Sequence, residues 1–276
     1  MEDKKGKNTV KVIGADYPVY DITLLKRESV EKLLNDSKVD NQLKESILES
    51  YDEIVEIAQD QYNNQEGPIK KDKISFPEGK DGERLKNLLE GLRANMKEAL
   101  GQDYDIASLG GNACNKMHVL NVVLSEHGYE TENRLYGFTG QDGILTEKLK
   151  DEGITIVSND ASEYTKFSGA VPIIRKDGQP DRVSLRQVPA TPDVIYNQDH
   201  ANQMIGELGQ EKDDPAILLL ESKFSKEKPQ VFAETISRIP QDTIVAYTPP
   251  NSGSEELKAA QRADIISPNL EEAAAM

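Results

Sequence analysis

From Gly110 onward the chain alternates between helical and extended patterns, and no other feature restricts its fold as much. Asn115 to Glu126 has helical spacing, Thr131 to Gly137 reads as extended, Leu145 to Glu152 as helical and Ile154 to Val157 as extended. Ala216 to Leu220 is a continuous apolar run suited to a central parallel strand. It is followed by a helical stretch from Pro229 to Arg238, a strand from Thr243 to Tyr247, a helix from Ser254 to Arg262 and a short strand at Ile265-Ile266. Such alternation predicts crossover units on a parallel sheet with helices on both faces. Two β-prone runs, Val171 to Ile174 and Arg182 to Leu185, flank Lys176-Asp177-Gly178 and predict a hairpin. No internal repeat is visible.

Upstream the pattern differs. Val10 to Gly14 is a short β-rich run whose glycine ends it in a loop. Glu28 to about Lys97 is acidic, with Val30, Leu33, Leu34, Leu43, Ile47, Leu48, Ile54 and Ile57 at helix-like intervals, and Asn63 to Gly79 has the Asn, Gly, Pro and Lys content of a linker. The expected organisation is a first strand in residues 1–25, an acidic helical insertion over 26–104 and the main α/β domain over 105–276.

The 276 residues carry 33 Lys and Arg against 49 Asp and Glu, a formal net charge of −16. Nucleic-acid affinity depends largely on clustered cations, so this balance argues against a phosphate-backbone binder. Cys114 stands alone, which excludes an intramolecular disulfide and a multi-cysteine metal site. Met1 to Lys7 is charged with no apolar stretch after it, and no run approaches the roughly 18 apolar residues of a membrane helix. The expectation is a soluble, cytoplasmic protein that engages neither membrane nor nucleic acid.

Three short motifs could carry chemistry. In Gly110-Gly111-Asn112-Ala113-Cys114-Asn115, two glycines precede a helix start, where a backbone can approach a ligand and free N–H groups can meet an oxygen; the same run also serves as an ordinary capped helix entry. In Gly137-Phe138-Thr139-Gly140-Gln141-Asp142-Gly143, Asp142 either orients a polyol hydroxyl or caps the next helix. Asn269 and Glu272 have the spacing of a capping box, and a carboxylate there also suits a hard cation such as Mg²⁺.

In this order the motifs resemble those of the ribokinase-like, or phosphofructokinase-B, family of carbohydrate and nucleoside kinases. Gly110, Gly111 and Asn115 fit the family's Gly-Gly-x-x-x-Asn, and Gly137, Gly140 and Asp142 fit its Gly-x-x-Gly-x-Asp. Asn269 and Glu272 fit the Asn-x-x-Glu that the family places near Mg²⁺ and the phosphates, and Leu149 to Ile154 is similar to the end of its next helix. Pro18-Val19-Tyr20-Asp21-Ile22 is similar to the adenosine-kinase-like Gly-Asn-Pro-x-x-Asp-Ile, which makes Asp21 the counterpart of the aspartate that grips two sugar hydroxyls; extra residues after Gly14 leave Asp16 as its rival.

The resemblance implies an α/β fold: a ribokinase-like three-layer sheet with helices on both faces and a small β lid, joined by the helical insertion. It implies ATP-dependent phosphorylation of a sugar or nucleoside hydroxyl with Mg²⁺. Substrate contacts would come from Asp21, Gly110, Gly111, Asn115 and Asp142, with Asn269 and Glu272 in the phosphate and metal region and Glu272 as the metal's carboxylate. The lid strands serve this family either as a monomer's cover or as a homodimer interface. One departure is large, since the family's late Asp-Thr-x-Gly-Ala-Gly-Asp segment, which holds the catalytic base, does not occur here. The expectation is therefore a truncated kinase with its carboxyl-terminal part missing, incomplete in activity, with a non-catalytic sugar-binding or partner-binding remnant as the alternative.

Overall fold

The structure is a computed structural model. It describes residues 9–16, 18–65, 73–75, 79–137, 139, 143–157, 167–186, 197–209, 215–221, 224, 228–248 and 261–266. The chain divides into two compact units, residues 1–18 with 109–165 and 190–276, and residues 19–108 with 166–189. These units cut across the chain segments expected from composition, because the helical stretch and the hairpin belong to the same unit.

In the first unit six strands form an entirely parallel sheet. They are β1 (Thr9–Ala15), β5 (Glu130–Tyr136), β6 (Ile154–Ile156), β9 (Ala216–Leu220), β10 (Ile244–Tyr247) and β11 (Ile265–Ile266), in the spatial order β11-β10-β9-β1-β5-β6. Strands buried on both faces need apolar residues at successive positions, which is why Ala216–Leu220 shows no alternation and sits beside β1.

Helix α4 (Asn112–Glu126) packs on one face, where Gly14 meets Ala113, Met117 and Leu219. Successive side chains of a strand point to opposite faces. Ile13, Ala15, Leu218 and Leu220 accordingly join the other layer, a core cluster that includes Ala201, Met204 and Leu208 of α6 (Gln198–Leu208) and Phe232 of α7 (Pro229–Arg238). Pro229 opens α7, where its missing N–H costs nothing. Helix α5 (Ile144–Asp151) buries Leu145 and Leu149 and leads into β6. The expected α/β architecture with helices on both faces is present.

The face of α4 is only partly covered. In β10, Val245 and Tyr247 point into the core cluster, whereas Ile244, on the other face, is 39% exposed. Ile265, beside Ala246, is 52% exposed, and Val119, Val122 and Val123 are exposed on α4. No described element covers these side chains.

A five-stranded sheet is formed by β2 (Val19–Thr23), β3 (Lys73–Ser75), β4 (Ala107–Gly110), β7 (Phe167–Ile174) and β8 (Pro180–Arg186), ordered β3-β8-β7-β2-β4; all of it but Leu109 and Gly110 belongs to the second unit. The expected hairpin is β7 and β8, paired antiparallel from Ser168 opposite Arg186 to Ile174 opposite Pro180. Its turn closes through Gly178 N–H to Arg175 O at 2.8 Å. Lys73–Ser75, inside the stretch read as linker, forms a strand parallel to β8.

Three helices accompany this sheet: α1 (Arg27–Asp36), α2 (Asn41–Asn64) and α3 (Gly79–Leu100). The Asp40 side chain caps α2, accepting from Gln42 N–H at 2.8 Å and Leu43 N–H at 3.1 Å. Ile47, Tyr51, Ile54, Ala58 and Tyr62 are its buried stripe, at steps of three and four. Burying an isoleucine of this kind stabilises by roughly 2 kcal/mol. The stripe lies on β7 and β8, and Gln59 pairs with the backbone of Ile174 through both its amide atoms, at 2.7 and 2.9 Å. Helix α2 thus covers β7 and β8 with its apolar stripe, and α1 and α3 pack against α2.

Candidate functional site

An open parallel sheet delivers all its carboxyl ends to one edge, and ligands collect where neighbouring strands send the chain in opposite directions. In the six-stranded sheet that point lies between β1 and β9. From β1 the chain goes on to β5 and β6 on one side, and it later builds β9, β10 and β11 on the other.

Polar side chains converge there. Asp16 follows β1 directly, is buried, and accepts the Ala113 N–H on Oδ2 at 2.9 Å. It thereby caps the first turn of α4 from a distant segment and places a negative charge at the positive end of that helix. Glu221 follows β9, and its Oε1 accepts from Lys116 Nζ at 2.7 Å. Lys116 also donates to Thr248 Oγ1, just beyond β10, while the Thr248 N–H bonds Leu220 O at 3.0 Å. The Asn112 side chain faces the same Glu221 carboxylate, whose Oε2 has no hydrogen bond of normal geometry among the described residues.

Burial raises the Glu221 carboxyl above its ordinary value, with Asp16 adding to the rise and Lys116 opposing it. Burial, then the charge of Asp16, pushes the Cys114 thiol well up, so this cysteine is a packed side chain and not a nucleophile. The cluster offers acceptors to hydroxyl donors, one ammonium group and a helix amino terminus. Among the described residues no group of three or more His, Cys, Asp or Glu could hold a metal ion, and no helix is long and apolar enough to cross a membrane.

No protein-family model and no curated protein sequence matches the chain. Solved structures do match. Adenosine kinase from Schistosoma mansoni in complex with 2-fluoroadenosine superposes with a TM-score of 0.50 at 10% identity, over 96% of this chain and 64% of that one. The fold is ribokinase-like.

Two further matches are adenosine kinase from Sinorhizobium meliloti, with a TM-score of 0.47 at 14% identity over 98% of this chain and 67% of that one, and ribokinase from Thermotoga maritima, with 0.42 at 15% over 96% and 60%. The chain therefore spans about three fifths of the length of the first of these kinases, 60% for ribokinase and 64% for the Schistosoma enzyme.

Within this ribokinase-like fold the residues singled out from sequence have separate fates. Gly110 ends β4 and is buried. Gly111 is the residue before α4, with φ 111° and ψ 139°, a conformation that side chains with a Cβ rarely adopt. Asn115 lies exposed on the first turn, its N–H bonded to Gly111 O at 3.0 Å. Asp21 is half-buried on β2 of the smaller unit, opposite Ser168 of β7, and its carbonyl accepts from Ser108 Oγ at 3.5 Å. Asp142, Asn269 and Glu272 lie outside the described residues, as does most of the helix expected over Ser254 to Arg262.

Gly137 is conspicuous for space rather than backbone angle. A Cβ there would sit 2.6 Å from the Asp16 carbonyl oxygen, so only glycine lets β5 leave the sheet beside Asp16.

Sequence reading passed over Glu221, Lys116 and Thr248. Glu221 did leave a trace, a carboxylate directly after the apolar run Ala216–Leu220. Its partners could not be inferred, because nothing in the sequence says that β9 lies beside β1 and beneath α4.

Proposed function

We propose that this chain binds a sugar or nucleoside at the carboxyl edge of its parallel sheet and belongs to an ATP-dependent kinase that phosphorylates a hydroxyl of that ligand. The observation that carries the reading is the convergence of Asp16, Glu221, Lys116 and Thr248 on the first turn of α4 at the strand-order switch. Buried carboxylates accept hydrogen bonds from hydroxyls, which fits a polyol better than an anionic or apolar ligand. The likeness in fold to an adenosine kinase solved with 2-fluoroadenosine favours the same ligand class.

In this reading Gly110, Gly111, Asn115 and Asp142 join the substrate contacts, while Asp21 and the hairpin strands β7 and β8 keep the roles that the family resemblance implies for them, substrate contact and lid or homodimer interface. Asn269 and Glu272 stand toward the phosphates, with Glu272 near the Mg²⁺ that accompanies ATP and offsets phosphate charge. Transfer of the γ-phosphoryl group to a hydroxyl needs a base for the hydroxyl proton and donors for the transferring group. No Gly-Ala-Gly-Asp run supplies them in this sequence. A second reading is a sugar-binding or partner-binding protein without turnover, for which the same carboxylate cluster would suffice.

Calorimetry with adenosine, ribose and fructose, alongside an ADP-release assay with Mg-ATP, tests both readings. Binding of at least one ligand, weakened about tenfold or more by Glu221→Ala, is the expected result, since losing a bond to a charged group removes roughly 1.5 kcal/mol or more. ADP release with binding favours the kinase, and binding alone favours the non-catalytic form. Absence of binding to the whole panel would refute both.

A further inference from the structure

Glu221 is buried at the end of β9, and the groups around it come from three elements. Burial and Asp16 at the end of β1 disfavour a charge there, whereas Lys116 and Asn112 on α4 favour it, with Thr248 beyond β10 holding the Lys116 ammonium from its other side; Cys114, also on α4, is a neutral thiol. The Glu221 side chain is 2% exposed and that of Lys116 is 24% exposed, so the ammonium brings its charge in from the rim. A buried carboxyl with no countercharge becomes neutral.

Geometry determines what neutrality would change. Lys116 engages Oε1, and Oε2 has no hydrogen bond of normal geometry among the described residues, although the Asn112 side chain faces the same carboxylate. As a carboxylate, Oε2 is an acceptor; as a carboxylic acid, the group carries an O–H and becomes a donor. The proton on Glu221 therefore decides whether the site receives a ligand's hydroxyl hydrogen or its oxygen lone pair.

We propose that Lys116 is a positioning residue: by bridging Glu221 and Thr248 it keeps the Glu221 carboxylate charged, so that Oε2 stays an acceptor for a ligand hydroxyl. The hydroxyl-ligand part rests on the polyol reading above, and the Lys116–Glu221 part does not. A lysine here, instead of a neutral side chain, tunes the site toward hydroxyl donors.

The test is a carboxyl ¹³C NMR titration of the ligand-free protein labelled at glutamate, with the Glu221 signal assigned by its loss in Glu221→Gln. Lys116→Met should raise the Glu221 midpoint by about one pH unit or more, a tenfold gain in proton affinity. Lys116→Arg, which restores the charge, should bring the midpoint back toward wild type. Thr248→Val, which only loosens the ammonium, should raise it by a smaller amount and serves if Lys116→Met does not fold. An unchanged midpoint in whichever of these two neutralising or loosening variants is folded overturns the proposal. Because the readout contains no ligand, failure of sugars or nucleosides to bind would strike the proposed function and leave this result standing.

Discussion

Replacing Asp105 by asparagine preserves the size of the side chain and removes its charge. Asp105 Oδ1 accepts from Arg93 Nε at 2.7 Å and from the Ala107 N–H at 2.9 Å, while Oδ2 accepts from Arg93 Nη2 at 2.8 Å and Lys97 Nζ at 2.9 Å. The two ends of the Arg93–Asp105 pair are 21% and 17% exposed, and the guanidinium lies 5.4 Å from the centre of the Tyr20 ring. This network ties α3 to the strand that leads into Gly110-Gly111. Burial alone would raise the Asp105 carboxyl, but Arg93, the Ala107 amide and Lys97 outweigh it and hold the group well below the usual carboxylate range.

Asparagine can retain the Ala107 bond. It loses the two charge-assisted contacts to Arg93 and the one to Lys97, and it leaves the guanidinium without its anion. Bonds to charged groups contribute about 1.5 kcal/mol each at the low end, and the Lys97 contact, on a more exposed cation, adds little, so the loss is about 3 kcal/mol. That agrees with the roughly 3–5 kcal/mol cost of breaking a largely buried ion pair. Urea unfolding at pH 7 followed by far-ultraviolet circular dichroism should show this difference between wild type and Asp105→Asn. The folded-state value is depressed, so the stabilisation is complete above the unfolded carboxylate value of about 4 and declines as pH falls below it. The two curves should therefore converge in acid. A difference below about 0.5 kcal/mol at pH 7, the size of an ordinary surface substitution, would refute the reasoning.

Two further substitutions probe the site's surroundings. Gly137→Ala puts a Cβ 2.6 Å from the Asp16 carbonyl oxygen, so thermal unfolding should report a loss of about 1–3 kcal/mol and the amide signal of Ala113, which bonds Asp16, should shift; an unshifted signal would mean that β5 leaves the sheet without constraining Asp16. The double change Val119→Lys and Val123→Lys removes two exposed apolar side chains of α4 and should lower binding of an anilinonaphthalene dye while stability stays within about 0.5 kcal/mol, and unchanged dye binding would show that these valines are not an accessible apolar surface.

How much of this was visible in the chain itself can be judged element by element. Pro229–Arg238 is helical over the very residues that its spacing indicated, and the Asp177-Gly178 turn does close a hairpin, because both signals are local. Strand β2 escaped notice: Val19–Thr23 is five residues long and its pairing with β7 lies far away in sequence. Helix α6 escaped as well, since Gln198–Leu208 mixes polar residues into its buried face, including His200. The glycine at 111 could be singled out because its positive φ favours one residue type. Glu221 could not, because a carboxylate gains its meaning from what stands beside it.

The sequence by itself determined the elements and their alternation, hence the α/β class, because helix and strand periodicity follow from where each side chain must point. Only the tertiary structure decided that β9 lies beside β1, that α4 reaches over both, and that Asp16, Lys116, Glu221 and Thr248 meet. Strand order is set by the burial of faces contributed by segments a hundred residues apart, and no local pattern records which distant face a strand will find.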